Sequence, residues 1–281
     1  MRTRVCIFFS RNAARGLNAG SVARNSAQFA VAIFLLGLPG VAFPGEAEPQ
    51  ASPPATHAPE VVEEPPASAQ PLPRVKLATA RGEVEIELYE DDAPNTVANF
   101  IELCEKHFFD GLVFHNVVEG RWVQTGDPTG TGRGGPSYKF AHEINAEYLG
   151  LDKKVVKDFA RDYKLTPAPG TEEMSLKDLY EKQGFHYLKG LKSHPVTKGS
   201  VVMAYSQPDS NGSQFFVALS DCPWLNGKHT VFGHVISGLE ALKIVKKGDL
   251  LEKVEVLTKR DHPYKVRTLE TATNEAKAEQ K

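Results

Sequence analysis

Nine prolines stand between residues 44 and 73, and they decide where this chain can fold. Proline has no backbone N–H and a fixed φ, so a stretch this rich can neither continue a helix nor join a strand ladder. Glu46, Glu48, Glu60, Glu63 and Glu64 share the segment, and large apolar side chains are almost missing from it. It cannot offset the entropy of ordering by burial. Residues 44–73 therefore read as an extended, disordered linker, and any fold lies on one side of it.

Upstream, Arg2, Arg4, Arg11, Arg15 and Arg24 occur with no acid before residue 29, and Phe29–Phe43, FAVAIFLLGLPGVAF, follows without a charge. A membrane span needs ~20 apolar residues, and Pro39 argues against a buried helix of the fold. A basic stretch, a short apolar stretch and small residues after it are the pattern of an export signal. Residues 1–43 are expected to be such a signal or, if uncleaved, a membrane anchor. The expected location is the periplasm or the extracellular space, with membrane contact only through the uncleaved segment. The whole chain has a formal charge of −2; without residues 1–45 it has 28 basic against 35 acidic residues, a charge of −7. No electrostatic footprint for nucleic acid is present. Three cysteines exclude a disulfide-dense scaffold.

Past residue 74 the hydrophobic period is mostly two. VKLATA-RG-EVEIELY, Val75–Tyr89, reads as a hairpin. Further strands are expected at Val113–Val118, Arg121–Thr125, Ser200–Ala204, Gln214–Leu219, Thr230–Ile236 and Glu252–Leu257. Pro94 opens a helix with Val97, Phe100, Ile101 and Cys104 at three- and four-residue spacing, and Gly238–Lys246 reads as a second long helix. Residues 149–196 break the pattern with two helical stretches, the second opened by a capping box at Ser175 and Asp178. Residues 265–281 are polar and expected as a disordered tail. Many short strands with glycine-bearing turns and two helices imply a mainly antiparallel barrel, whose closure would remove exposed edges.

Several chemistries are weakly represented. The glycine-rich Gly126–Gly135 lacks the Lys-Ser/Thr of a phosphate loop. The histidines show no zinc-type spacing with cysteine, and no Gly-x-Ser-x-Gly elbow exists. No metal and no cofactor are expected. Cys104, on the apolar stripe of the first helix, and Cys222 are read as two free thiols.

Three blocks carry a more specific message: Phe114–Tyr138, FHNVVEGRWVQTGDPTGTGRGGPSY; Gly199–Phe216, GSVVMAYSQPDSNGSQFF; and Trp224–Glu240, WLNGKHTVFGHVISGLE. In order and separation they resemble the cyclophilin family of peptidyl-prolyl cis-trans isomerases, and NTVANFIEL at Asn95–Leu103 agrees. The resemblance covers a domain over 74–264, interrupted by a helical insertion at 149–196. It implies a mainly β fold: a closed eight-stranded antiparallel β-barrel capped by two α-helices, with a groove on its outer face for proline-containing polypeptides. A monomer is expected.

The resemblance also implies site residues. Phe216 and Leu225 would line a proline pocket, Gln124 would orient a donor or bond the substrate backbone, and Trp224 and His229 would form the rim. Ala204 would give the peptide backbone room, and Arg133 would border a side pocket. Departures fall in the catalytic patch. The family's arginine after Phe-His is here Asn116, its pocket phenylalanine is Arg121, its pocket methionine is Trp122, an asparagine is Tyr205 and a glycine is Thr125.

Three readings follow. In the first, Arg121 swings its guanidinium to where the missing arginine's would lie, so that Arg121, Gln124 and Asn116 form the catalytic set and isomerase activity in the folding of exported proteins persists. In the second, the groove binds proline-containing or extended chains as a chaperone or docking module. In the third, the barrel is a scaffold for a function on the insertion. The insertion itself is expected to flank or overhang the groove.

Overall fold

The computed structural model describes residues 70–279. The export signal or anchor expected over 1–43, and nearly all of the linker expected over 44–73, lie outside the described residues. Among those described, no helix is long and apolar enough to cross a membrane.

One antiparallel sheet organises the chain: β1 (Arg74–Thr79), β2 (Gly82–Leu88), β3 (Leu112–Val113), β4 (Asn116–Val118), β5 (Trp122–Thr125), β6 (Ser200–Met203), β7 (Phe215–Ala218), β8 (Val231–Ser237) and β9 (Leu250–Thr258). Their order in the sheet is β3-β9-β1-β2-β8-β6-β7-β5-β4. The mainly β, antiparallel expectation holds, but the closed eight-stranded barrel does not: the sheet is a curled, open ladder of nine strands. The physical reason is local. The run Val113–Val118, expected as one strand, is broken at Phe114–His115. Phe114 turns its N–H to Asp249 O at 2.9 Å and takes the N–H of Gly248 at 2.9 Å. Leu112 and Val113 therefore pair with β9, whereas Asn116–Val118 pair with β5. The two ends of the sheet are joined by covalent chain where the expected barrel would have had hydrogen bonds.

The described residues contain five α-helices: α1 (Pro94–Glu105), α2 (Val156–Asp162), α3 (Leu176–Lys182), α4 (Leu239–Lys243) and α5 (Leu269–Glu279). α2 and α3 are the expected helices of the insertion, and Ser175 caps α3 by accepting the Asp178 N–H at 3.0 Å. The second capping helix is shorter than expected. Gly238 precedes α4 with a left-handed φ of +80°, and a Cβ there would lie 2.1 Å from Glu83 O, so this corner requires glycine. Ile244 already ends the helix and is left 60% exposed. Residues 265–281, expected as a disordered tail, carry α5, whose Leu269 N–H reaches Lys139 O at 2.8 Å. Just before it, Arg260 grips the Asp91 carboxylate through both terminal nitrogens at 2.6 and 2.8 Å.

The inner face of the sheet and α1 enclose the main core. Phe100 of α1 meets Phe109, Phe215 and Phe232 with ring centroids 5.1–5.2 Å apart. An antiparallel sheet commonly leaves its other face to water. Here β5, β6 and β7 are buried on both faces. Val123, Val201, Met203, Phe215 and Val217 point into the main core, while Trp122, Val202, Phe216 and Ala218 form a second apolar cluster outside. Cys104 and Cys222 are both buried and free, one in each cluster.

Candidate functional site

Strand register builds the site. Asn116 lies opposite Gln124, Gln124 opposite Phe216, Phe216 opposite Val202 and Val202 opposite Val231. Because side chains alternate across a strand, this row shares the outer face. It begins with two amides and ends on hydrocarbon. The next row, Val118–Trp122–Ala218, widens the apolar floor. A 3-10 turn at Pro223–Leu225 closes one side, placing buried Leu225 in the floor and half-buried Trp224 at the rim.

The amides form a chain. Asn116 Nδ2 donates to Gln124 Oε1 at 2.9 Å, Gln124 Nε2 donates to Gln214 Oε1 at 3.0 Å, and Gln214 Nε2 donates to Gly134 O at 2.9 Å. The Gly134 carbonyl can only accept, so it fixes the orientation of all three amides in turn. The donors run one way, each bond polarising the next. Each amide nitrogen keeps a second hydrogen, and half-buried Asn116 heads the chain beside the apolar floor.

Gln214 is the site residue that the motif reading passed over. Its signal was available: it stands two residues before Phe216 and so shares its face. Thr125, which replaces a family glycine, stays out of the groove; it is fully buried and donates its hydroxyl to Val113 O at 3.0 Å. Trp122 is 8% exposed and packs on Phe216 with centroids 6.0 Å apart.

Arg121 is not where the first reading would put it. Its guanidinium carbon lies 5.0 Å from the centroid of Trp224, and the donor facing Gln124 is Asn116. Arg121 belongs to the turn before β5 and is exposed, so its side chain runs along the rim while Trp122 fills the wall. Arg133, also exposed, sits in the glycine-rich loop next to the Gly134 carbonyl that ends the amide chain.

His229 closes the far side. Its Nδ1 lies 2.9 Å from Met203 O, an acceptor, so Nδ1 carries the proton and Nε2 is bare. Burial pushes its pKa down to about 3, keeping the ring neutral near pH 7. Phe216 meets it edge-on at 5.5 Å, and Tyr205 lies at 4.6 Å. Ala204 packs against the outer cluster between these rings and the floor. Tyr205 turns its ring away from the floor and into the apolar cluster of the insertion, with Phe185 and Tyr180.

The insertion does flank this site. Tyr163, at the end of α2, meets Trp224 at 6.2 Å, and Tyr187 donates its hydroxyl to Gly227 O at 2.8 Å. Gly227 has φ +78°, and a Cβ there would come within 2.1 Å of Leu151 Cδ1. Gly227→Ala is expected to cost roughly 1–2 kcal/mol from the left-handed backbone alone, and to loosen the insertion. A lower urea midpoint, with faster proteolysis inside residues 149–196 than elsewhere, would show it; an unchanged cleavage pattern would disprove the coupling.

His142 lies at the same junction. It is 2% exposed, stacks edge-on against Tyr205 at 4.8 Å, and neither ring nitrogen bonds a protein atom among the described residues. Burial lowers its pKa to about 4, with Asp209 opposing. A depressed folded-state pKa means that the unfolded chain takes the proton first, so stability is full above the ordinary histidine pKa and falls as pH drops toward 4. His142→Phe keeps the aromatic packing and removes the titration. It is expected to gain about 2 kcal/mol over the parent at pH 5 and to flatten the pH slope of the urea midpoint. An identical slope would overturn the assignment.

Comparison with known proteins places the chain in a family. A family model described as cyclophilin type peptidyl-prolyl cis-trans isomerase/CLD matches residues 74–270. The peptidyl-prolyl cis-trans isomerase-like 1 protein of Rhizopus delemar is 36% identical over 172 residues, 60% of this chain and 77% of its own length. Peptidyl-prolyl cis-trans isomerase-like 3 of Mus musculus is 37% identical over 189 residues, 67% of this chain and 88% of that one. Among solved structures, a cyclophilin type peptidyl-prolyl cis-trans isomerase of Cryptosporidium parvum aligns with a TM-score of 0.47 at 24% identity, covering 67% of this chain and 99% of that chain.

Proposed function

This chain belongs to the cyclophilin-type peptidyl-prolyl cis-trans isomerase family, and on that premise we propose that it isomerises X-Pro bonds in exported proteins as they fold, with Asn116 as the donor. The barrier to be lowered is rotation about an amide of ~18–20 kcal/mol, set by resonance. No covalent step is needed. The proline ring rests on Phe216, Leu225 and Trp122, a floor that shelters it from water. As the bond twists, its nitrogen pyramidalises and its lone pair becomes an acceptor. A donor aimed at that nitrogen stabilises the twisted state more than either planar one, which is what accelerates the reaction.

The observation that carries this reading is the polarised amide chain headed by Asn116 beside the apolar floor. Gln214 and Gln124 hold Asn116 in place and offer their remaining N–H groups to the flanking carbonyl. Export is supported by the basic and apolar N-terminal pattern. Uncatalysed exchange takes tens to hundreds of seconds and can limit folding, so a catalyst in that compartment has work to do. Two measurements test the proposal: the rate of X-Pro isomerisation with the purified protein, and its recovery from the cell envelope.

A second reading, a docking or chaperone-like groove for proline-containing chains, draws on one feature: the family's charged donor is replaced by the neutral Asn116. Binding of an X-Pro peptide with no acceleration of its exchange would favour that reading over catalysis.

A further inference from the structure

Arg121 is a cation on the rim of an apolar groove, held there by Trp224. Among the described residues no carboxylate pairs with it. Asp221 accepts the Lys198 N–H at 2.9 Å, and Glu119 is exposed at the turn between β4 and β5. Burial raises the pKa of the Cys222 thiol, Arg121 opposes the rise and Asp221 adds to it.

A cation–π contact with Trp224 holds this group at the rim. The guanidinium carbon lies 5.0 Å from the Trp224 centroid, and Trp224 is itself steadied by Tyr163 at 6.2 Å. A guanidinium with one face on an indole keeps its in-plane N–H donors pointing sideways. That fork matches a carboxylate, which can accept two parallel bonds without breaking the stack. The side-chain freedom that an arginine usually loses on pairing is already restricted here. The position is also close to the proline floor: Trp122, the next residue in the chain, is part of that floor, and Leu219 N–H donates to Arg121 O at 2.7 Å.

We propose that Arg121 gives the groove a preference for an acidic side chain next to the proline, on the side facing Trp224. The inference rests on the groove being the proline site. It names the substrate class: X-Pro segments flanked by Asp or Glu, selected by an in-plane salt bridge at the rim. Lysine in that place would meet a like charge and be disfavoured.

The test uses the full chain and two peptide series, with Glu, Gln or Lys on one or the other side of a single proline. Exchange rates give kcat/KM, and quenching of tryptophan fluorescence gives binding in the same samples. In one series Glu is expected to exceed Gln about tenfold in kcat/KM at low salt, Lys to fall below Gln, and the Glu advantage to shrink in 0.5 M salt, at an ionic strength where the Debye length is only ~4 Å. In Arg121→Gln the Glu-to-Gln ratio is expected to collapse to about one, whatever happens to the absolute rates. Equal Glu and Gln values in both series, or a ratio that survives Arg121→Gln, would overturn the proposal. The two readings fail separately. Preferential binding of the Glu peptide with no exchange would retain the acidic preference and end the isomerase; exchange that is blind to charge would do the reverse.

Discussion

Asn116→Arg is expected to raise kcat/KM for a neutral X-Pro peptide by ~10²-fold, since one transition-state donor is worth ~10²–10³ and a charged donor bonds about twice as strongly as a neutral one. The geometry favours the change. Position 116 faces Gln124 across β4 and β5, and Gln124 Oε1 is already waiting for an N–H from that position at 2.9 Å. A guanidinium can give that bond and keep donors free for the imide nitrogen. Asn116 is only half-buried, so the longer side chain can extend along the groove without entering the core. Asn116→Ala removes the neutral donor and is expected to lower kcat/KM by ~10²-fold, the cost of one lost transition-state donor. Isomerase assays on both variants, with urea midpoints to confirm folding, decide the matter. A folded Asn116→Arg with no gain would mean that the imide donor is elsewhere. A gain cannot be mistaken for misfolding, which makes this the cleaner arm.

The sequence was most informative where one local pattern settles one element. Alternation in Val75–Tyr89 made a hairpin because each second residue had a core to enter. Pro94 and the stripe of Phe100 and Cys104 made α1, and Ser175 made a cap. The three motif blocks brought Asn116, Gln124, Phe216, Leu225 and His229 to one face. What was not legible depended on partners distant in the chain. Val113–Val118 reads as one strand, rich in β-branched and aromatic residues, and only the hydrogen bonds of Phe114 with Gly248 and Asp249 divide it. Gly238–Lys246 looks long enough for two turns of helix, but its length is set by how the chain must turn back into β9. Arg121 could be placed on a strand end, but not on Trp224, because that contact joins residues a hundred positions apart. Gln214 could be put on the face of Phe216 by its two-residue spacing, but its tie to the Gly134 carbonyl, eighty positions away, is not visible in the sequence. Residues 265–281 looked featureless since their support, Lys139, sits on a different loop.

The largest expected loss of stability comes from a residue outside the groove. Helix α1 starts at Pro94 with Ala93 before it, and Ala93 has no side chain able to cap. The free N–H groups of the first turn would be buried without partners, a costly arrangement. Glu143, from the loop that leads into the insertion, supplies the cap. Its Oε1 accepts Asn95 N–H at 2.9 Å, and its Oε2 accepts Thr96 N–H at 2.7 Å and the Thr96 hydroxyl at 2.6 Å. The carboxylate also sits at the positive end of the helix dipole. Burial raises its pKa against these three donors, which hold it down. Glu143→Ala would strand two N–H groups and a hydroxyl at a site only 8% exposed for Glu143 and fully buried for Thr96. The expected cost is about 3–4 kcal/mol, summing ~1–3 per unmet group with partial relaxation. Glu143→Gln keeps one accepting oxygen and relieves the burial of charge, so about half that loss is expected. Urea unfolding of the three proteins measures it, and a Glu143→Ala midpoint within ~1 kcal/mol of the parent would refute the capping role. The loss should also reach the site. α1 carries Asn99, whose Nδ2 donates to Gly212 O at 3.0 Å while its Oδ1 accepts the Tyr138 hydroxyl at 2.7 Å. Gly212 stands two residues before Gln214, so a frayed α1 unseats the loop that anchors the amide chain, and Glu143→Ala should lower kcat/KM at temperatures where the fold itself is still intact.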